Sequence, residues 1–259
     1  MRPSFYIPPV NDDCKALRVE VSRQRLSLLD DDATEGDWSD SPIFFYGSIE
    51  GMKHLQRPGI HYDIIDWCDW QKLTCTNYYA KWGHLLLTRN YGFYPLAEVH
   101  RLSCALWSAY SDKEGRAYVR PNSNDKVFAG GVFKRENFAP WLLQAEPESL
   151  TDDLLCLVGK PTPILAEYRL VVAGGKVVTG SMYIMDECIR YEQSCPASAV
   201  VIAEEAARLW SPHPVFVLDI AYTLGGEYLI IECGSIHTVG LYECDLEKVV
   251  KAIVAHSSS

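Results

Sequence analysis

Asp219 and Glu232 are the residues whose spacing most directly suggests chemistry. They lie in LDIAYTLGGEYLIIECG, which reads as two strands joined at Gly225-Gly226. A Gly-Gly pair suits a two-residue hairpin loop, because both positions accept a positive φ. That loop pairs Leu224 with Glu227, and the same register carried outward sets Asp219 directly opposite Glu232. Carboxylates facing each other across a ladder repel. At roughly 5 Å and an effective dielectric near 20 the cost is about 3 kcal/mol. A cation between them would reverse it.

Two further segments supply cations. EYRLVVAGGKVVTGSMY, at 167–183, reads as a second hairpin turning at Gly174-Gly175. The same register logic sets Arg169 opposite Gly180, with Glu167 on the arginine's face. An arginine facing a glycine leaves room for a ligand beside the backbone; a weak Glu167–Arg169 surface ion pair is the plain alternative. In YVRPNSNDKVFAGG, Arg120 ends a strand, Lys126 follows a polar loop, and Gly130-Gly131 come next. Cations beside a glycine-containing loop suit phosphate oxygens, through charge-assisted hydrogen bonds and exposed backbone N–H groups; an ordinary surface loop reads the same way.

Competing chemistries are thin. There is no Gly-x-x-x-x-Gly-Lys-Ser/Thr, no Gly-x-Gly-x-x-Gly, no Gly-x-Ser-x-Gly and no His-x-x-x-His. Cys233 and His237 permit a cysteine–histidine dyad on paper, but alternation puts Cys233 on an apolar face, as a core thiol. Trp67, Trp70, Tyr78, Tyr79 and Trp82 either line a cleft or fill a core. The nine cysteines include no Cys-x-x-Cys, so reduced core thiols and a cytoplasmic setting are expected. A net charge of −10 disfavours nucleic acid. The N-terminus lacks a signal-peptide pattern, and no apolar run is long enough to span a membrane.

The elements that must position these residues are mixed α and β. DDDATEGDWSDSP at 30–42 reads as an exposed loop, IFFYGS as a buried strand and HLLLT at 84–88 as another. Helical spacing of Leu96, Val99, Leu102, Leu106 and Tyr110 predicts a helix over 95–110. Strands follow at 117–121 and 154–159, with a short helix at 135–144 interrupted near Pro140. A helix at 196–210 carries Val201, Ile202, Ala206 and Leu209 as its apolar stripe, and the last helix starts at Asp245 as N-cap.

In their order, Arg120, Lys126, Glu167-x-Arg169, Asp219 and Glu232 resemble the ATP-grasp superfamily, in a compact clade marked by two arginines and one lysine. The motifs are VRPNSNDKVFAGG, AEYRLVVAGGKVVTGS, VLDIA and IIECGSIHTVGLYECD, spanning about residues 115–250. The resemblance implies an α+β fold: an N-terminal α/β region over 1–110, then a core over 111–259. That core divides into a lid subdomain, about 111–158, and a metal-binding subdomain, about 159–259, enclosing the nucleotide. It implies an ATP-dependent ligase that activates a carboxylate as an acyl phosphate and transfers it to an amine. Arg120, Lys126 and Arg169 would act on the phosphates and Asp219 and Glu232 would hold Mg²⁺. Leu157, Val158 and Lys160 would join Glu167 around the nucleotide, with backbone groups near Leu157 and Val158 reading adenine.

One departure stands out. The superfamily carries Glu-x-Asn as its second metal motif, and here Glu232-Cys233-Gly234 puts glycine where asparagine would be. Ser235, water or a backbone carbonyl would have to fill in. A catalytically impaired ATP-binding or partner-binding module of the same fold is therefore the alternative.

Overall fold

The computed structural model describes residues 2–29, 41–58, 63–143 and 150–257. The acidic loop expected at 30–42 falls almost wholly outside them. The chain divides into two units, one of residues 1–69 with 164–259 and one of residues 70–163. The expected boundaries at 110/111 and 158/159 differ from this division. Apolar residues of the N-terminal part, among them Phe5, Leu17, Val21, Phe44 and Trp67, share a core with the C-terminal sheet.

The first unit holds a five-stranded antiparallel sheet. Its strands are β7 (Ile164–Ala173), β8 (Lys176–Met185), β9 (Cys188–Gln193), β10 (Val215–Thr223) and β11 (Tyr228–Ser235), in the order β11-β10-β7-β8-β9. A parallel pair, β1 (Ser4–Tyr6) and β2 (Ile43–Phe45), lies in the same unit. So do α1 (Asp12–Arg23), α2 (Ile49–Leu55), α7 (Ala197–Leu209) and α8 (Leu246–His256). Phe5, Phe44, Leu17 and Val21 pack with Val171, Val217, Val250 and Ile253 in one core. Asp245 caps α8 as expected, accepting from the Lys248 backbone N–H.

Against β7, β8, β10 and β11 packs α7. Its buried residues are Ala199, Ala203, Ala206 and Ala207. The expected stripe is thus rotated: Val201 is 63% exposed and Leu209 44%. Alanines let the helix approach the sheet closely, a preference that hydrophobic periodicity does not register.

The second unit is a four-stranded antiparallel sheet, ordered β3-β6-β4-β5. Its strands are β3 (Tyr91–Pro95), β4 (Arg116–Pro121), β5 (Gly131–Lys134) and β6 (Leu155–Gly159). One face packs on α4 (Leu96–Arg101), α5 (Ser103–Tyr110) and α6 (Arg135–Leu142), with Val99, Leu106, Trp107, Val119, Phe138 and Val158 in the core. The single helix expected over 95–110 is two, broken at Leu102. The strand expected at 84–88 begins as a 3-10 turn, Gly83–Leu85, after α3 (Cys75–Trp82). Strands β3 and β9 were not anticipated. The aromatic stretch is chiefly core: Trp67, Tyr78, Tyr79 and Trp82 are buried.

Candidate functional site

Two glycine pairs that look alike in the sequence make different turns. Gly174 and Gly175 both have positive φ, and Ala173 pairs with Lys176, so this is the expected two-residue loop. The other loop has three residues, Leu224 to Gly226. Thr223 N–H donates to Glu227 C=O, and only Gly226 of this pair has a positive φ, +81°. Tyr222 therefore pairs with Tyr228 and Ile220 with Ile230, one residue off the expected register. A bulge at Ile231 then restores it, so that Asp219 does face Glu232. The expected opposition is correct, but it arises from two departures that cancel.

In the other hairpin two bulges shift the register in the same direction, the first of them between the turn and Arg169. Beyond Val177 the register slips by one residue, and Arg169 faces Ser181, with Gly180 opposite Leu170. The expected Arg169–Gly180 facing is thus corrected. A Cβ at Gly180 would lie 2.3 Å from Leu170 Cδ2, so this glycine makes room for a leucine on the other face of the sheet.

Strand pairing then assembles the site. On β7 and β10, Arg169 faces Asp219 and Glu167 faces Ala221. Glu167, Arg169, Asp219 and Glu232 thus share one face across three adjacent strands. Arg169 Nε donates to Asp219 Oδ1 at 2.8 Å and its terminal nitrogen to Oδ2 at 2.7 Å. This is a two-pronged ion pair with 7% of the arginine and 3% of the aspartate exposed. The other terminal nitrogen donates to Gly240 C=O at 2.8 Å. The Arg169 guanidinium carbon lies 5.5 Å from the Tyr183 ring centre and 5.0 Å from that of Tyr242. Tyr183 O–H donates to Glu167 Oε2 at 2.6 Å. Tyr183, Tyr242 and Gly240 were not anticipated; nothing in their residue types marks them.

Burial raises the pKa of Asp219; Arg169 pulls it down, and the adjoining Glu232 carboxyl pushes it up again through like charge and a carboxyl–carboxyl hydrogen bond. Burial likewise raises Glu167, aided by Asp219 and Glu232 and opposed by the Tyr183 hydrogen bond and Arg169. Burial disfavours the charged guanidinium of Arg169, yet Asp219 holds its pKa well above the ordinary value. Three carboxyls and one guanidinium thus share this face, with Asp219 alone paired to the cation.

The departure at Gly234 acquires a physical setting. A Cβ there would meet Val217 at 3.0 Å and Val239 at 3.2 Å, so the position is packed on aliphatic side chains. Ser235 does not substitute as a ligand. Its hydroxyl donates to Trp67 C=O at 3.0 Å and accepts from His237 N–H at 3.1 Å. The Cys233–His237 dyad is also excluded. His237 Nδ1 bonds Phe45 C=O and Nε2 accepts from Trp67 N–H at 3.2 Å, which commits both ring nitrogens to a neutral imidazole. Burial pushes its pKa down to about 4. Cys233 is buried, as expected of a core thiol.

The remaining expected residues belong to the second unit. Arg120, buried, faces Leu157 across β4 and β6, and its Nε donates to Pro121 C=O at 3.3 Å. Gly130 lies against it: a Cβ there would be 2.9 Å from Arg120 Cβ. Lys126 is exposed and holds a left-handed backbone, φ +55°. Ser123 Oγ, in the same loop, is buried without a hydrogen-bond partner. Leu157 lies on the Arg120 face, whereas Val158 points into the helix-covered core. Both pair with β3 on one side and β4 on the other, so their backbone groups belong to the ladders and are not free to read an adenine edge. Lys160 ends the strand with an exposed side chain and donates its N–H to Asn90 C=O at 2.8 Å.

Among the described residues no three His, Cys, Asp or Glu side chains converge to hold a metal. Mg²⁺ does not need such a cage, since it uses one or two carboxylates and completes its shell with phosphates and water. Asp219 and Glu232, hard oxygen donors, fit that use.

A family model described as ATP-grasp domain, R2K clade family 2, matches residues 99–252. No curated protein matches the sequence. Among solved structures the chain is similar to D-cycloserine synthetase DcsG, with a TM-score of 0.67 at 11% identity over 98% of this chain and 99% of that one. It is also similar to the ATP-grasp ligase PsnB complexed with minimal precursor, Mg and ADP, with a TM-score of 0.58 at 10% identity over 99% and 98%. The D-alanine–D-alanine ligase of Bacillus anthracis matches with a TM-score of 0.57 at 11% identity over 100% and 94%. At these identities the likeness establishes the fold.

Proposed function

The chain belongs to the ATP-grasp superfamily, in family 2 of the R2K clade, and on that premise we propose that it is an ATP-dependent ligase joining a carboxylate to an amine. The reading is carried by the sheet face that Glu167, Arg169, Asp219 and Glu232 share, where Asp219 is ion-paired to Arg169 and faces Glu232. Neighbours of the same fold include ligases, one of them solved with Mg and ADP.

In the proposed reaction the substrate carboxylate attacks the γ-phosphorus and ADP leaves. An uncharged amine then attacks the acyl carbon of the resulting acyl phosphate and inorganic phosphate departs. Mg²⁺, held by Asp219 and Glu232, would neutralise charge on the phosphates. Arg169 directs its hydrogen bonds to Asp219 and Gly240, so its first task is to keep Asp219 ionised and aimed. Arg120 and Lys126 are proposed to contact the phosphates; the left-handed Lys126 and the orphaned Ser123 hydroxyl support that role for their loop. Lys160, exposed at the strand end, is proposed to contribute a charge for the nucleotide. A cytoplasmic location is part of the proposal, supported by nine free thiols. Among the described residues no helix is long and apolar enough to cross a membrane.

The test is ADP release with Mg²⁺ across a panel of carboxylates and amines, alongside calorimetric ATP binding. Asp219→Asn should abolish turnover with the fold intact, and Lys126→Ala should weaken ATP binding. Wild-type rates in Asp219→Asn would refute the metal assignment. A second reading, an ATP-binding module without ligation, is favoured by the aliphatic packing at Gly234. ATP binding with no ADP formation across the panel would support it.

A further inference from the structure

We propose that Tyr242, with Tyr183, is a positioning residue for this reaction, fixing the Arg169 guanidinium so that Asp219 is held in its ligating geometry. The inference rests on the ligase reading above. Its independent observation is the backbone of Tyr242, which holds φ +49° although it carries a bulky side chain. Non-glycine residues rarely adopt this conformation, and it persists where surrounding structure compels it, commonly at functional sites.

Two of the contacts that hold this loop reach Arg169 itself. Gly240 C=O accepts from its guanidinium at 2.8 Å, and the next residue, Leu241, donates its N–H to Asp13 Oδ2 at 2.9 Å. The chain then turns through the left-handed residue and brings the Tyr242 ring to 5.0 Å from the guanidinium carbon. Tyr242 stacks on Tyr183, centres 5.1 Å apart and planes 19° off parallel, and on Tyr191 at 5.0 Å and 16°. Aromatic faces attract a guanidinium, and a stacked set resists its rotation. Arg169 has four rotatable bonds that set the orientation of its charged plane. Asp219 and Gly240 C=O hold the edges of that plane; the rings fix its tilt. Tyr183 meanwhile donates to Glu167. One aromatic pair therefore sets the partners on two sides of Asp219, and a core-filling role explains neither the strained φ nor this convergence.

The experiment compares steady-state ADP release and thermal unfolding in Tyr242→Leu, Tyr242→Asn, Tyr183→Leu and Tyr242→Phe, with Arg169→Ala and Asp219→Asn as references. Asparagine tolerates the left-handed backbone, so Tyr242→Asn keeps the loop even if leucine disturbs it. The expected result is a kcat about 10-fold lower in Tyr242→Leu, Tyr242→Asn and Tyr183→Leu, a higher Mg²⁺ concentration at half-maximal rate, and a KM for ATP changed less than 3-fold. Tyr242→Phe, which keeps the ring, should recover kcat to within about 3-fold of wild type. The proposal is overturned if the ring-deleting variants keep wild-type kcat and Mg²⁺ dependence while Arg169→Ala and Asp219→Asn abolish turnover. It is overturned equally if Tyr242→Phe is as impaired as Tyr242→Asn. Activity surviving in Asp219→Asn would instead overturn the ligase-site reading beneath it.

Discussion

Replacing Glu232 by glutamine should make the protein more stable and less active. Facing residues on an antiparallel pair have Cβ atoms about 4.5–5.5 Å apart, and here Glu232 and Asp219 face each other. Two full charges at about 5 Å and an effective dielectric near 20 repel by about 3 kcal/mol. Glu232 is only half-buried, and solvent screens part of this repulsion, so a net gain of about 1–2 kcal/mol is expected. Glutamine keeps the shape, and its amide can donate to the Asp219 carboxylate in place of a shared proton. The gain must depend on pH. Asp219 and Glu167 have raised pKa values in the fold. An acid raised on folding stabilises fully below its unfolded value, and that contribution is lost as pH rises through the folded value. The advantage of Glu232→Gln should therefore be small at pH 4 and largest above pH 7. Urea unfolding at pH 4, 6 and 8 without nucleotide or metal measures it, and a midpoint about 2–4 °C higher in thermal unfolding at pH 8 is the companion result. Adding Mg²⁺ and ATP should reverse the order, since only the wild type gains from the metal. A variant less stable than wild type at pH 8, or a gain indifferent to pH, would refute the reasoning.

Three other outcomes follow from the same geometry. Arg169→Met strands a buried Asp219 and should cost about 3–5 kcal/mol, whereas adding Asp219→Asn should recover much of it; additive losses in the double-mutant cycle would contradict the ion pair's importance. His237 is held neutral with a pKa of about 4 against 6.5 unfolded, so its contribution is complete above pH 6.5 and lost as pH falls toward 4. At 1.36 kcal/mol per pH unit this amounts to about 3 kcal/mol, read as the pH dependence of unfolding that disappears in His237→Gln. Alkylation of the native protein should modify Cys104, Cys188 and Cys195 before the six buried cysteines, and mass spectrometry that found Cys233 among the fast sites would contradict its burial.

Local chemistry was legible where it acts locally. Glycine pairs announced two hairpins, Asp245 announced a helix start, and the apolar run at 154–159 announced the strand found at Leu155–Gly159. Bulges were not legible. Ile231 and Val178 each add a residue to a ladder without a distinguishing residue type, and each shifts every facing beyond it. The helix over 197–209 shows the same limit: periodicity gave a helix but not which of its faces could approach the sheet most closely.

The sequence by itself determined a hairpin carrying two acids, with arginine and lysine upstream, because turn residues and strand alternation act over a few positions; that the acids face each other depends on a three-residue turn and a bulge that only the structure shows. Only the tertiary structure decided what lies between those acids and the rest of the chain. Arg169 reaches Asp219 through strand pairing 50 residues apart, and Tyr242 reaches Arg169 through a loop that leaves β11 and doubles back. The aliphatic setting of Gly234 comes from Val217 and Val239 packing around it. Such contacts join segments distant in the chain, and their energy lies in desolvation and geometry, which no local pattern of residues encodes.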